Sequence, residues 1–171
     1  MKLLAVALAI AIAPSAAAIT LKQNLADVGF LAGHWDAGVG TVADTGGTSK
    51  GFADITVEAN GMALISKGHT DLFDAKGAPA GQYFQILLIY PENGTLRADY
   101  LDGVHVIHYT HAAVTPGKSV TLSSSPGDGP IFQLTYNLQA PDALAVTFGM
   151  IPPGQSTFQP IASGTLHKSQ P

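Results

Sequence analysis

The feature that most constrains this chain is a two-residue alternation that returns in one segment after another. Over residues 131–138, Phe132, Leu134, Tyr136 and Leu138 alternate with Gln133, Thr135 and Asn137. Successive side chains of a β-strand point to opposite faces, so this pattern describes a strand with one apolar side. Leu144, Val146, Phe148 and Met150 repeat it over 143–151, and Val120 and Leu122 do so on a shorter strand. One-sided strands that succeed each other through short turns must bury their apolar sides together. Residues 83–90 differ, being apolar on both faces. The outer face of that segment calls for cover, from a helix or from a second copy of the protein.

Turn chemistry supplies the connections. The 19 glycines and 11 prolines fall at short intervals, as an all-β sandwich or barrel requires. Asp102-Gly103 stands between strand-like segments 95–101 and 104–111, and predicts a two-residue type I′ hairpin. Pro91-Glu92-Asn93-Gly94 joins 83–90 to the first of those segments, and Asn60-Gly61 joins 51–58 to 62–70. Asn93-Gly94-Thr95 also has the form of a glycan acceptor, but turn chemistry alone accounts for it. One helical segment is expected near the N-terminus, where Leu21, Leu25, Val28 and Leu31 share a face. It would lie across the mouth or base of the β domain. The expectation is an all-β, antiparallel up-and-down barrel of about ten strands with a short N-terminal helix, because closing such a sheet removes its edges.

The chain opens on Met1-Lys2 and an apolar run over 3–13; Pro14-Ser15 and Ala16-Ala17-Ala18 follow. A positive start, a short apolar core and small residues at a cleavage site make a secretory signal. Residues 1–18 are therefore expected to be a signal peptide and 19–171 a single barrel domain, exported to the periplasm or beyond the cell. No cysteine occurs, which excludes a lipid anchor at that site, disulfides and thiolate metal sites. With 12% charged residues and a net charge of -4, a nucleic-acid surface is not expected. No later stretch is long and apolar enough to be a membrane-spanning helix.

Gly33-His34-Trp35 stands where the helical segment gives way to the first strand. Glycine there lets the backbone turn tightly, and the tryptophan is placed to plug one end of a barrel beneath a cation from a neighbouring strand. Arg97, the single arginine, and Lys168 on the last strand are the candidates for that cation. A Gly-X-Trp followed by an up-and-down meander resembles the calycins, which include lipocalins and nitrobindin-like barrels. Phe30-Leu31-Ala32-Gly33-His34-Trp35, with Gly103-Val104-His105-Val106-Ile107-His108-Tyr109, resembles more closely a family of exported lipocalin-like bacterial proteins. That resemblance covers essentially the whole mature chain, and it implies a fold rather than a function. Nitrobindin-like barrels hold haem through a histidine near the start of the last strand. The matching position here is Ile161, which cannot bind iron, while His167 lies six residues further on and is expected to point outward. No cofactor is expected.

His105, His108 and His111 crowd one segment. Alternation puts His105 and His111 on one face and His108 on the other. The first two would lie about 20 Å apart at ~3.3 Å per residue, too far to share an ion, so no metal site is expected. Asp99 and Tyr100 sit across the hairpin from Tyr109 and the histidines, where a small acid–base cluster is conceivable, but no residue is assigned a catalytic role. The leading expectation is a binding module for a small apolar or amphipathic molecule. Phe132, Tyr136, Phe148 and Met150 would line it, and His105, His108 or Tyr109 would form its polar end. One alternative is an envelope enzyme of isomerase or hydrolase type, which would need a His, Tyr and Asp converging inside the barrel. The other is a filled barrel, monomeric or homodimeric, that acts through its outer face.

Overall fold

A computed structural model describes residues 20–169 apart from 23, 44 and 128, so the expected signal segment lies outside the described residues. Each alternating stretch forms a strand: β1 (Gly33–Val42), β2 (Gly47–Glu58), β3 (Ala63–Phe73), β4 (Pro79–Glu92), β5 (Thr95–Leu101), β6 (Val106–Thr115), β7 (Ser119–Ser124), β8 (Ile131–Ala140), β9 (Ala143–Ile151) and β10 (Gln159–Ser169). Every strand pairs antiparallel with its neighbour in sequence, and β1 closes against β10. The sheet is the expected ten-stranded up-and-down barrel, and closure leaves no unpaired edge.

The N-terminal helix is shorter and tighter than the amphipathic helix expected. It is a six-residue 3-10 helix, Ala26–Leu31. Leu25, Val28 and Leu31 are fully buried, and their spacing of three is one face of a three-residue turn. Leu21 is only partly buried. The helix lies across one end of the barrel, where the Gly117 amide donates to the Asp27 carbonyl at 2.8 Å. Beneath it pack Trp35, Leu64, Val120, Leu122 and Leu144, all fully buried. The turns 59–62, 93–94 and 116–118 belong to this closed end, while 74–78, 102–105 and 152–158 surround the opposite mouth.

Trp35 is the plug. Its indole Nε1 donates to the Leu31 carbonyl at 2.7 Å, tying strand to helix. The cation above its ring is Lys168, not Arg97: Lys168 Nζ lies 5.1 Å from the ring centroid and donates to the Ala32 carbonyl at 2.8 Å. Arg97 sits between the inward Leu96 and Ala98, so alternation turns it to the outer surface. There its guanidinium bonds the Thr110 carbonyl, and Nε lies 3.3 Å from a Glu92 carboxylate oxygen without hydrogen-bond alignment. Gly33 is needed for two reasons. Its φ is 140°, and an added Cβ would fall 2.5 Å from Lys168 Cε. Gly33→Ala is therefore expected to lower the unfolding free energy by about 1–3 kcal/mol. Urea midpoints would show it, and an unchanged midpoint would mean that neither the φ of 140° nor the lysine contact demands glycine here.

The turns divide by which group satisfies the backbone. Asn93 and Gly94 both take positive φ, 50° and 80°, between paired Glu92 and Thr95, which makes a two-residue type I′ turn. Asp102-Gly103 does not make the expected one. Leu101 pairs with Val106, so the loop has four residues, 102–105, and of Asp102 and Gly103 only the glycine has a positive φ. The Asp102 carboxylate accepts the Val104 and His105 amides at 2.9 and 2.6 Å, and this local cap replaces the tight hairpin. Asn60-Gly61 likewise lies in a four-residue connection, since Glu58 pairs with Ala63. The doubly apolar strand β4 receives no cover from the helix, which sits at the barrel end. Phe84 and Ile86 are exposed on its outer face, and Leu101 and Val106 extend the Ile86 row across β5 and β6.

Candidate functional site: the barrel interior

Parity along each strand decides what points inward. Leu87 and Ile89 are buried on β4, so Gln85 and Tyr83 continue their face toward the mouth. Tyr100 follows buried Leu96 and Ala98 on β5, and Ile107 and Tyr109 face in from β6. Phe132 follows Tyr136 and Leu134 on β8; Phe148 and Met150 follow Leu144 and Val146 on β9. The opposite wall carries short side chains. Gly164 of β10, Ala37 of β1, Ala53 of β2, and Ser66 and Gly68 of β3 are in register with the inward row. A ten-stranded barrel is wider than one that its own side chains easily fill. One wall is thus aromatic and the other is built of short side chains. In keeping with this, residues under the helix are fully buried, whereas Tyr83, Gln85, Tyr100, Phe132, Phe148 and Met150 keep partial exposure toward the mouth. A recess of about 440 Å³ opens on the β3–β4 rim of that mouth, lined by Leu72, Phe73, Pro79 and Gly81 among others, and not over the tyrosines.

Four tyrosines give this interior its polar character. Tyr109 and Tyr136 are 1% and 8% exposed. Burial pushes the Tyr136 phenol up to about 12. Burial also raises Tyr109, and the neighbouring Tyr136 and Tyr100 phenols add to the effect. Tyr100 is raised by burial first and then by the Asp102 carboxylate, to which its hydroxyl donates at 3.2 Å. Neither Tyr109 nor Tyr136 finds an acceptor among the described residues. Gln85 Nε2 donates to Thr70 Oγ1 at 3.2 Å, a further polar contact on the inner face of β3 and β4. Phe132 and Phe148 stack with centroids 5.9 Å apart.

Asp102 closes the mouth side of this row, its side chain only 7% exposed. Burial pushes its carboxyl up, but hydrogen bonds from the His105 ring and from the His105 and Val104 amides prevail and hold it near 2. His105 Nδ1 lies 3.0 Å from it. The chain His105–Asp102–Tyr100 thus runs from solvent to the interior. Its carboxyl and phenol are driven in opposite directions away from neutrality, which suits a clamp better than a proton-transfer couple.

The structure brings Tyr109, Phe132, Tyr136, Phe148 and Met150 onto the inner face, and it places His105 and His108 outside it. His105 lies in the mouth loop, its side chain 60% exposed. His108 points outward at 72% exposed, and Asp99 links it to Tyr90 through contacts of 2.6 and 3.0 Å. His111 is exposed too. Simple alternation fails here because a bulge between Tyr109 and His111 resets the register, and because residue 105 precedes the strand. His167 is exposed on β10. Sequence reasoning missed Tyr83 and Gln85, and it gave Tyr100 a place in a conceivable acid–base cluster but not in the inner wall. The two-faced apolarity of 83–90 hid which parity was inward, although Tyr100 stands two and four residues from Ala98 and Leu96 in a legible strand.

A second unforeseen cluster lies on the outer surface. His34 stacks on Phe52 at 5.8 Å and His69 on Phe84 at 4.7 Å, with Phe52 edge-on to His69. The His34 ring bonds Asp54 through Nδ1 and faces Asp36 through Nε2 at 3.3 Å. The bond to Asp54 is the main cause of a raised His34 pKa, with partial burial opposing it. A raised folded value stabilises the fold below the usual histidine value of 6.5, and the gain is lost as pH rises through the higher folded value. The stability difference between wild type and His34→Gln is expected to shrink on going from mildly acidic to mildly alkaline solution. A difference that grows would contradict the pairing.

No family model matches the chain, and no curated protein matches it. Among solved structures, one described as EF1p2_mFAP2b bound to DFHBI is similar at 14% identity with a TM-score of 0.44, over 84% of this chain and 98% of that chain.

Proposed function

We propose that this chain is an exported binding protein that holds a small apolar or amphipathic molecule between the two unequal walls of its open half. The observation that carries this reading is the inner row itself. Aromatic side chains of β4, β5, β8 and β9 stay partly exposed inside a closed barrel, facing a wall of glycine, alanine and serine. A pocket with apolar walls and a few polar groups is the usual form of a small-molecule site. Export is supported by residues 1–18 and predicts a mature N-terminus at Ile19, which sequencing of the cell-envelope protein would test. Native mass spectrometry of that protein, compared with its denatured mass, tests occupancy. A reproducible extra mass lost on denaturation is expected. A bare chain that also takes up nothing from an envelope lipid extract would point to a self-filled barrel.

The enzyme alternative called for a histidine converging with Asp99 or Tyr109 inside the barrel, and the His108–Asp99 pair lies on the outer face instead. The interaction reading draws on the uncovered row of Ile86, Leu101 and Val106, where a second copy of this chain would sit. A dimer in sedimentation velocity that dissociates on Ile86→Lys would favour it.

A further inference from the structure

We infer that the interior site, taken as the ligand site proposed above, selects a neutral molecule bearing a hydrogen-bond acceptor, such as a ketone, ester or quinone carbonyl, over a carboxylate. The two phenols most deeply set in the inner wall, Tyr109 and Tyr136, are both more than nine-tenths buried. Their hydroxyls have no acceptor among the described residues. Neither is among the fully enclosed unpaired polar atoms of the described residues, which are His69 Nε2, Arg97 Nε and Ser169 Oγ. Burial keeps both phenols protonated at neutral pH, so each offers an O–H. A carbonyl oxygen placed between the walls would accept one or both.

The charges select against an anion. Lys50, Lys67 and Arg97 occupy outward positions of β2, β3 and β5. Lys168 is spent at the closed end, over Trp35 and on the Ala32 carbonyl. Among the described residues the one charged group beside the inner row is itself negative, Asp102, held ionised by its own hydrogen bonds at the mouth. A carboxylate held here would lose water and find no cation on the inner row among the described residues, and a buried unpaired charge is strongly disfavoured. A neutral carbonyl carries no charge to desolvate, and it offers an acceptor to hydroxyls that find none among the described residues.

The test uses three probes with the same two-ring body, namely benzophenone, diphenylacetate and diphenylmethane, titrated calorimetrically into the mature protein at neutral pH. Benzophenone is expected to bind at least about tenfold more tightly than either of the others. In the double variant Tyr109→Phe with Tyr136→Phe, whose fold is checked by circular dichroism, benzophenone should fall to the level of diphenylmethane. Diphenylmethane itself should be unaffected. Diphenylacetate binding as tightly as benzophenone, or a double variant that keeps full benzophenone affinity, would overturn the inference and leave the barrel a binding site. Binding of none of the three would overturn both the inference and the ligand reading on which it rests.

Discussion

Trp35→Ala is expected to lower the unfolding free energy by about 3–5 kcal/mol, the largest effect of any single substitution at the closed end. Trp35 is wholly buried where the 3-10 helix crosses the barrel, so its removal leaves a void that rigid strands on three sides cannot collapse into. The loss goes beyond volume. The Leu31 carbonyl loses the indole N–H that pins the helix, and Lys168 loses the ring beneath its ammonium while keeping the Ala32 carbonyl. Trp35→Phe separates these contributions, because it restores most of the apolar volume without the donor. A cost of roughly 1–3 kcal/mol is expected for it, the penalty of a buried carbonyl left unpaired. Urea unfolding of both variants would measure the difference. A cost below about 1 kcal/mol for Trp35→Ala would mean that the helix, rather than the indole, holds that end.

The second large effect is a contrast at one position. Tyr109→Ala is expected to cost about 3–5 kcal/mol, since it empties a nearly fully buried ring from the inner wall. Tyr109→Phe is expected to change stability by no more than about 0.5 kcal/mol, because the hydroxyl it removes has no acceptor to lose among the described residues. Tyr100→Phe should behave differently, costing about 0.5–1.5 kcal/mol through the lost hydrogen bond to Asp102. If Tyr109→Phe proved as damaging as Tyr100→Phe, the hydroxyl would have a partner in the folded protein, and the interior would not be waiting for an acceptor. The same conservative substitution, alone for stability and paired with Tyr136→Phe for ligand preference, thus reports by independent measurements.

How much of the site was legible depended on the strand that carried it. On β8 and β9 the polar partners of each apolar row are unambiguous, so Phe132, Tyr136, Phe148 and Met150 were assigned to the interior from spacing alone, and register pairs Phe132 with Met150 and Tyr136 with Val146. On β4 both faces are apolar, so parity carried no information, and Tyr83 and Gln85 became visible only when Leu87 and Ile89 proved to be buried. The histidines illustrate a different failure. Alternation is a rule about uninterrupted pairing, and the bulge after Tyr109 breaks it between His108 and His111. The Asp102 loop failed for a chemical reason: the carboxylate captured two backbone amides, and a longer loop that satisfies them displaced the two-residue hairpin.

By itself the amino-acid order determined the class, the antiparallel succession, the near-complete set of ten strands, the position of the plug and most of one inner wall. Those follow from local rules of period, turn chemistry and glycine placement, each of which acts over a few residues. Only the tertiary structure decided that Lys168 and not Arg97 covers Trp35, that the histidines stand outside, and that Tyr109 and Tyr136 find no acceptor among the described residues and sit opposite a wall of small residues. Each of these depends on which strands face one another across a closed barrel. β1 and β10 are joined by closure across the full length of the domain, and no local pattern encodes a contact between residues 35 and 168.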